Sequence, residues 1–490
     1  MEEPLKNLID GKWVESASGA TFDDTNPANK TEVLGRFPRS DHRDVDRAVE
    51  AARISFPSWS RCPSLRRADI LYRAAHIIEE RSDDLSAVLV RESGKVLGEA
   101  QAELRDGVSM LRALAGDASR GAAEGPCPDR AGALAFAAVV PVGVAGVITH
   151  WTFPLAGSLW AVASALAAGD TVVFKPAEDT PLAAARLVEI LLEAGVPPAT
   201  LSLVHGHGEE AGAPLVRHPD VALVSFVGSP VVGREVAIAC AAEEKHLCLD
   251  LGQQTAAIVL EDADLDLAVD GIVAAGFALT GQRWRGAARL LVHRKVVKEF
   301  TDRLVARVQA LRVGDGMLAG TEIGPLINET QLRRVHGHTR IGLRDGATLL
   351  CGGEAVREGE CKRGCFYAPT VFGDAAPKMR VVQEEVLGPL LTVMSVAGLD
   401  DAVEQANALR RTATVVVYAR DLARGLRAIE GLRVGCVCVN PTRPSLGAPL
   451  SLAGFAATGR LRRHAGPQSL VDFGVRKEAI IESSGARPGP

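Results

Sequence analysis

From Ala131 to Gly169 the chain carries no Asp, Glu, Lys or Arg. An uncharged run longer than about 20 residues has to be buried, either in lipid or in a protein core. Pro141, Gly143, Gly146, His150 and Pro154 interrupt it, and its centre, VVPVGVAGVITHW, is rich in Val and Gly. A membrane helix fits these breaks badly. A buried strand, a loop and a buried helix over about Leu155–Ala168 fit them well. The run is therefore expected as core, with no membrane association.

The same alternation continues downstream. The strand-like runs AGVITHW and TVVFKPA alternate with the helices LAGSLWAVASALAAG and PLAAARLVEILLEAGV, and LSLVHG and VALVSFVG carry it on. Strands separated by helices of this length predict a parallel, doubly wound α/β sheet, the usual home of a nucleotide. A second set follows: strands TAAIVL, RLLVH, TVVVYA and GCVCVN, with helices VVKEFTDRLVARVQAL and LDDAVEQANAL between them. No fixed-period repeat relates the halves. Before them, DVDRAVEAARISFPSW and RRADILYRAAHIIEERSDDLSAVLVRESGK have helical periodicity, so the first 115 residues read as helix-rich. GDASRGAAEGPCPDRAG reads as a turn or exposed hairpin loop. QSLVDFGVRKEAIIES reads as an edge strand able to pair with a partner subunit.

At 490 residues the chain exceeds one compact core and implies two or three domains. Hydrophobic residues at 47% and charged residues at 23% exclude a disordered chain. A net charge of −5 offers no general attraction to phosphate backbones, so no nucleic-acid partner is expected. The clusters at Arg460–Arg463 and around Trp284 read as ordinary solvated charge. The start, MEEPLKN, is acidic and polar and predicts neither a signal nor a transit peptide, hence a cytoplasmic location. Of nine cysteines only Cys361/Cys365 and Cys436/Cys438 lie close together. Neither has a second ligand pair at zinc-like spacing, so no metal is expected and the thiols are expected reduced.

Two motifs bear on phosphate and ribose. In SFVGSPVVG, Gly228 and Ser229 end a strand, with Ser as N-cap and Pro230 opening a helix towards Gly233. That helix start suits an anion, and a purely structural turn suits the pattern equally. In VVFKPAEDTP, Lys175 and Glu178 end a buried strand. They suit ribose hydroxyls or phosphate, or form a plain surface charge pair.

Taken in order, LIDGKWVES, NPAN, HWTFPL, KPAEDTP, FVGSPVVG, LDLGQQTAAIVLEDADLD, GQRWRGAAR, EEVLGP and TGR resemble the aldehyde dehydrogenase superfamily over nearly the whole chain. The resemblance implies the aldehyde dehydrogenase fold. A doubly wound Rossmann-like cofactor domain would span 1–116 and 139–248, and an α/β catalytic-type domain 249–448. A small β oligomerisation element would span 117–138 and 466–484. It also implies a homodimer or homotetramer, and NAD or NADP as cofactor.

The family oxidises aldehydes with four parts: a cysteine thiolate that attacks the aldehyde, an asparagine amide with a backbone N–H for the oxyanion, the nicotinamide as hydride acceptor, and a glutamate that activates water. The asparagine of the family's PWNFP falls on Thr152, which has no amide. The glutamate of ELGG falls on Asp250, one methylene shorter. The cysteine of GQxC falls on Trp284, and no nearby cysteine replaces it. The Gly-Gly-Lys after the glutamate becomes Gly252-Gln253-Gln254, the Phe of EIFGP becomes Leu387, and the Gly-rich PFGGxKxSGxGRE survives only as Pro449 and Gly459-Arg460. By contrast Lys175, Glu178, Gly228, Ser229, Gly233 and the ribose-binding candidate Glu385 all match. Cys248, two residues before Asp250, reads as a buried small hydrophobe and not as a substitute nucleophile.

This pattern predicts a family member inactive in cysteine-dependent aldehyde oxidation, acting as a pseudoenzyme, scaffold or ligand-binding subunit, with an active paralogue as one conceivable partner. The alternative is a repurposed enzyme using the interdomain tunnel, with Asp250, His150, Arg283 and Arg285 in new roles. A residual NAD(P)-dependent dehydrogenase is the third reading.

Overall fold

The charge-free run folds as a buried strand, Val144–Ile148, a loop, and the helix Ala156–Ala168, of which every residue from Ser158 onward is buried. Gly169 closes that helix in the left-handed conformation, the usual glycine C-cap. The computed structural model describes residues 5–120, 123–124, 133–252, 254–283, 286–408, 412–442, 452–453, 462–463 and 467–482. None of its helices is long and apolar enough to cross a membrane, among the described residues.

Two seven-stranded sheets organise the chain. The first runs, in spatial order, His246–Leu251, Val221–Gly228, Val144–Ile148, Thr171–Lys175, Leu201–Leu203, Asn7–Ile9 and Lys12–Val14. Its first four pairings are parallel and the last two antiparallel. The helices Ser64–Glu80, Leu97–Arg120, Ala156–Ala168 and Pro181–Ala194 pack on one face. His42–Trp59 and Pro230–Ala242 cover the other, which makes the sheet doubly wound as predicted. The second sheet runs Thr348–Cys351, Thr370–Gly373, Leu390–Val396, Ala287–His293, Gln254–Val259, Thr412–Tyr418 and Cys436–Val439. It is parallel except at its first pair, and helices cover both of its faces.

A third, antiparallel sheet joins Gly474–Glu482 to Ala133–Pro141 and Ala123–Glu124. The C-terminal strand thus pairs within its own chain. Other sequence expectations need adjusting. The N-terminal region opens with strands before its helices, because short half-exposed runs such as KWV and TFDDT carry little periodicity. The expected hairpin loop begins as helix, which continues to Arg120. The expected division after residue 248 falls inside the strand His246–Leu251. That strand stays in the first sheet, and the chain enters the second at Gln254.

One buried ion pair ties this scaffold to the loop that follows Ile148. Lys95 and Glu103 contact each other with side chains 2% and 1% exposed. Glu103 also accepts from the backbone N–H groups of Leu155 (2.9 Å) and Ala156 (3.0 Å), at the start of the buried helix, where a carboxylate is favoured. Lys95 Nζ reaches the Thr152 carbonyl at 3.4 Å. Removing one partner of such a pair strands a buried charge. Glu103→Ala is therefore expected to cost about 3–5 kcal/mol in urea melts; a loss below about 1 kcal/mol would show the pair to be dispensable.

Asp170 gives a pH signature. It accepts from Val142 N (2.7 Å) and Gly143 N (3.0 Å), yet burial pushes its carboxyl up to about 7. Because the folded value lies above the ordinary one of 3.8, its contribution to stability is complete below pH 3.8 and is lost as pH rises through 7. Asp170→Asn removes that titration. Its melting temperature relative to wild type should rise by about 2 °C or more between about pH 5 and pH 8.5; a pH-independent difference would show that Asp170 does not titrate in this window.

Candidate functional site

The carboxyl ends of the first sheet's strands face the amino ends of the second sheet's strands across a cavity of about 590 Å³. Gly228 and Ser229 reach it from the first sheet, Gly252 and Gln254 from the connection between sheets, and Glu385 and Leu387 from the segment before Leu390–Val396. Ser229 caps the helix Pro230–Ala242, its Oγ accepting from Val232 N at 3.3 Å. The helix therefore presents its positive end to the cavity. Gly233 does not line it. A Cβ there would lie 2.2 Å from Leu251 Cδ2, so this glycine lets the helix settle on the strand that carries Asp250.

Lys175 and Glu178 end the strand Thr171–Lys175 and pair with each other, Nζ to Oε2 at 3.2 Å. Burial pulls the Lys175 ammonium below its ordinary range, against the pull of Glu178. For Glu178, burial acts upward, but the Lys175 ammonium and hydrogen bonds outweigh it and hold the carboxyl low. The pair lies outside the cavity's lining.

Glu385 lines the cavity beside Gly252. A Cβ on Gly252 would meet its Oε2 at 2.4 Å, so a larger residue there would push the Glu385 side chain aside. Behind it, burial draws the Arg289 guanidinium down to about 10 in spite of the Glu385 charge. Gln254, which stands where the family has lysine, donates from Nε2 to the Glu384 carbonyl at 2.7 Å. His150 lines the same cavity, and burial pushes its imidazole down to about 4. It is neutral at pH 7. Its Nδ1 accepts from Thr152 N at 3.3 Å, which leaves the proton on Nε2.

A second cavity, of about 810 Å³, opens on the other side, lined by Glu99, Asp106, Phe153, Phe277, Leu279 and Arg283 among others. Burial lowers the Arg283 guanidinium, while the nearby Glu99 and Asp106 carboxylates oppose it. Between the two lies a small void touched by Trp151, Thr152, Leu279 and Gln282.

The loop entering this region is strained and tightly held. Leu279, Thr280 and Gly281 take φ values of 54°, 58° and 66° in succession. For the two non-glycine residues this costs about 1–3 kcal/mol each. Leu279 N donates to Glu99 Oε1 (2.7 Å), Thr280 Oγ1 to the Gly324 carbonyl (3.0 Å), and Ile327 N to Gln282 Oε1 (2.9 Å). A Cβ on Gly281 would fall 2.1 Å from the Gly388 carbonyl oxygen.

The structure brings together Gly228, Ser229, Glu385 and, through the small void, Thr152. Asp250 is buried in its strand opposite Val227 and lines neither large cavity. Trp284 and Arg285 lie outside the described residues, as do Gln253, Pro449, Gly459 and Arg460. Cys248 donates to the Asp472 carbonyl at 3.4 Å; burial, with Asp472 and Asp170 nearby, pushes its thiol well up, which opposes nucleophilic use. None of the eight described cysteines lines either large cavity. Sequence reasoning missed Gln331, Arg334 and His338, which line the first cavity from the helix Glu329–Asp345. Their spacing of three and four residues was the available signal. Among the described residues no cluster of three His, Cys, Asp or Glu could hold a metal.

Residues 13–477 match the aldehyde dehydrogenase family. Among similar solved structures, betaine aldehyde dehydrogenase from Staphylococcus aureus in complex with NAD+ is 31% identical, with a TM-score of 0.95 over 99% of this chain and 96% of that one. Another structure of that enzyme holds NAD+ and a BME-modified cysteine. HpcC from Thermus thermophilus is 36% identical, with a TM-score of 0.94 over 100% of this chain and 95% of that one. A putative aldehyde dehydrogenase from Burkholderia cenocepacia is 31% identical, with a TM-score of 0.95 over 100% and 99%. Fold, coverage and identity agree: the chain belongs to the aldehyde dehydrogenase family.

Proposed function

We propose that this chain binds an NAD-type dinucleotide between its sheets but does not oxidise aldehydes through a covalent thiohemiacetal, and that it acts as a pseudoenzyme subunit. The observation that carries this reading is the missing thiol: the residue aligned with the nucleophile is Trp284, and no described cysteine lines either large cavity. An indole has no ionisable thiol, so the attacking step has no atom to perform it. The other parts are weakened in the same region. Thr152 offers a hydroxyl where an amide is needed, and Asp250 is enclosed in a strand.

The cofactor end supports retained binding. The Lys175–Glu178 pair suits ribose hydroxyls, the Ser229-capped helix start suits the pyrophosphate, and Glu385 suits the second ribose. The cavity of about 590 Å³ is bordered by Gly228, Ser229 and Glu385, so the residues fit the group. When bound, the dinucleotide supplies a hydride acceptor; this chain's residues hold it and keep a neutral His150 in the same cavity. The Glu178 carboxylate disfavours a 2′-phosphate, so NAD is preferred over NADP. Assembly as a homodimer or homotetramer, or with an active paralogue, is proposed to use the three-stranded sheet, where Ile480 and Ile481 are 70% and 55% exposed.

One observation favours a second reading, different chemistry in the same fold. The 810 Å³ cavity sets Arg283 among carboxylates, Glu99 and Asp106 included, and apolar side chains such as Phe153 and Phe277, and it is large enough for a ligand of its own.

Calorimetric titration of NAD and NADP, with an aldehyde panel followed by NADH absorbance on the same sample, tests the proposal. NAD should bind without NADH formation, and Lys175→Ala should weaken it about tenfold or more. Robust NADH production by the wild-type chain would overturn the pseudoenzyme reading. Trp284→Cys alone should stay about 100-fold less active than the triple change Trp284→Cys, Thr152→Asn, Asp250→Glu, since a lost oxyanion donor alone costs that much; equal rates would show that the thiol was the only missing part.

A further inference from the structure

The structure separates the two close cysteine pairs. Cys361 Sγ lies 4.0 Å from the Val313 carbonyl, while Cys365 is buried elsewhere in the core. Cys436 and Cys438 have their sulfurs 3.7 Å apart, and among the described residues no other two sulfurs are in contact. They occupy alternate positions of the strand Cys436–Val439, so both side chains leave the same face. Each is half-buried, so each sulfur is shielded only in part. The strand is the outermost of the second sheet, paired on one side to Thr412–Tyr418.

We propose that Cys436 and Cys438 form a thiol-exchange site that takes a small-molecule disulfide, oxidised glutathione being the type, and closes to a disulfide within one strand. The Cys436 thiolate attacks one sulfur of the small disulfide, forms a mixed disulfide and expels one thiolate. Cys438 then loses its proton and attacks the Cys436 sulfur, breaking the mixed disulfide and expelling the second thiolate. Both expelled thiolates leave as thiols. Two protein thiols are oxidised and one small disulfide is reduced to two thiols, so atoms and electrons balance.

The geometry favours the exchange and its reversibility. Either sulfur can donate the hydrogen bond between them, so one thiol can support a thiolate on its neighbour. Two strand rises place the Cα atoms about 6.6 Å apart, near the upper limit of about 6.8 Å that a disulfide spans. The sulfurs must close from 3.7 Å to about 2.05 Å. The product is attainable but strained, and strained disulfides are the readily reduced ones. The position is consequential too. Asn440 bonds the Ala419 backbone, Pro441 accepts from Tyr418 Oη at 3.3 Å, and Thr442 lines the 810 Å³ cavity. Strain in the strand reaches the wall of that cavity within four residues.

The test uses the full chain in its native assembly. After incubation with oxidised glutathione, free thiols are alkylated and the protein is digested with trypsin. Because Pro444 blocks cleavage after Arg443, the tryptic peptide is Val434–Arg460, which contains these two cysteines and no others. It should emerge two hydrogens lighter and unalkylated, and should recover both alkylation sites after brief dithiothreitol treatment. Cys438→Ser should instead trap glutathione on Cys436. Phenylarsine oxide on the wild-type chain needs no variant, and should bridge both sulfurs of the same peptide. Full alkylation of both cysteines, a persistent glutathione adduct in the wild type, or a disulfide joining two chains would each overturn the proposal.

Discussion

The site depends on how closely the backbone can pass from one sheet to the other. Leu251 ends the last strand of the first sheet and Gln254 begins the second, so the crossing takes two residues. At Gly252 a single methyl would collide with the Glu385 carboxylate, and at Gly281 it would collide with the Gly388 carbonyl. The first is relieved by a turn of the Glu385 side chain; the second, backbone against backbone, fixes how closely the loop at Gly281 packs on the segment before Leu390–Val396. The Lys95–Glu103 pair holds the loop that brings His150 and Trp151 to the first cavity: one carboxylate caps a helix start, and its lysine reaches the Thr152 carbonyl. None of these contacts involves the residue aligned with the nucleophile.

Leu279 and Thr280 in left-handed geometry are costly, and hydrogen bonds to Glu99 and Gly324, with Ile327 holding Gln282, help keep them there. The grip belongs to the packing of the second sheet against the helix Leu97–Arg120. Relaxing it would disturb Gln282 and the contact at Gly388 as well.

The parallel sheets were legible in the sequence because fully buried strands read as unbroken runs of Val, Ile, Leu and Ala between helices of regular length. TVVFK and VALVSFVG are buried almost throughout, and both sit where the alternation puts them. Strands with an exposed face were not legible: TLLC and KWV are short and partly solvated, too short for their alternation to show. The candidate site was legible where backbone and caps build it, as at Gly228, Ser229 and Glu385. It was not where a helix face from a distant segment supplies the lining, as with Gln331, Arg334 and His338. Gly233 matched the family's motif, but its reason is packing: Leu251 needs the space a side chain would take.

The two ends of the site differ in what holds them together. A dinucleotide is received by features that the fold itself provides: a helix start, strand ends, and glycines that allow close approach. Removing those would cost the packing of both sheets, so they persist with the architecture. A covalent reaction is carried by a few side-chain atoms that add little to stability and can be replaced at small structural cost. A cysteine becoming tryptophan, an amide becoming a hydroxyl and a carboxylate drawn back by one methylene are all changes of this kind. On the proposed reading, the chemistry was lost where it was structurally free to be lost. The helix start and strand ends of the cofactor end are part of the packing of the first sheet and stay with it.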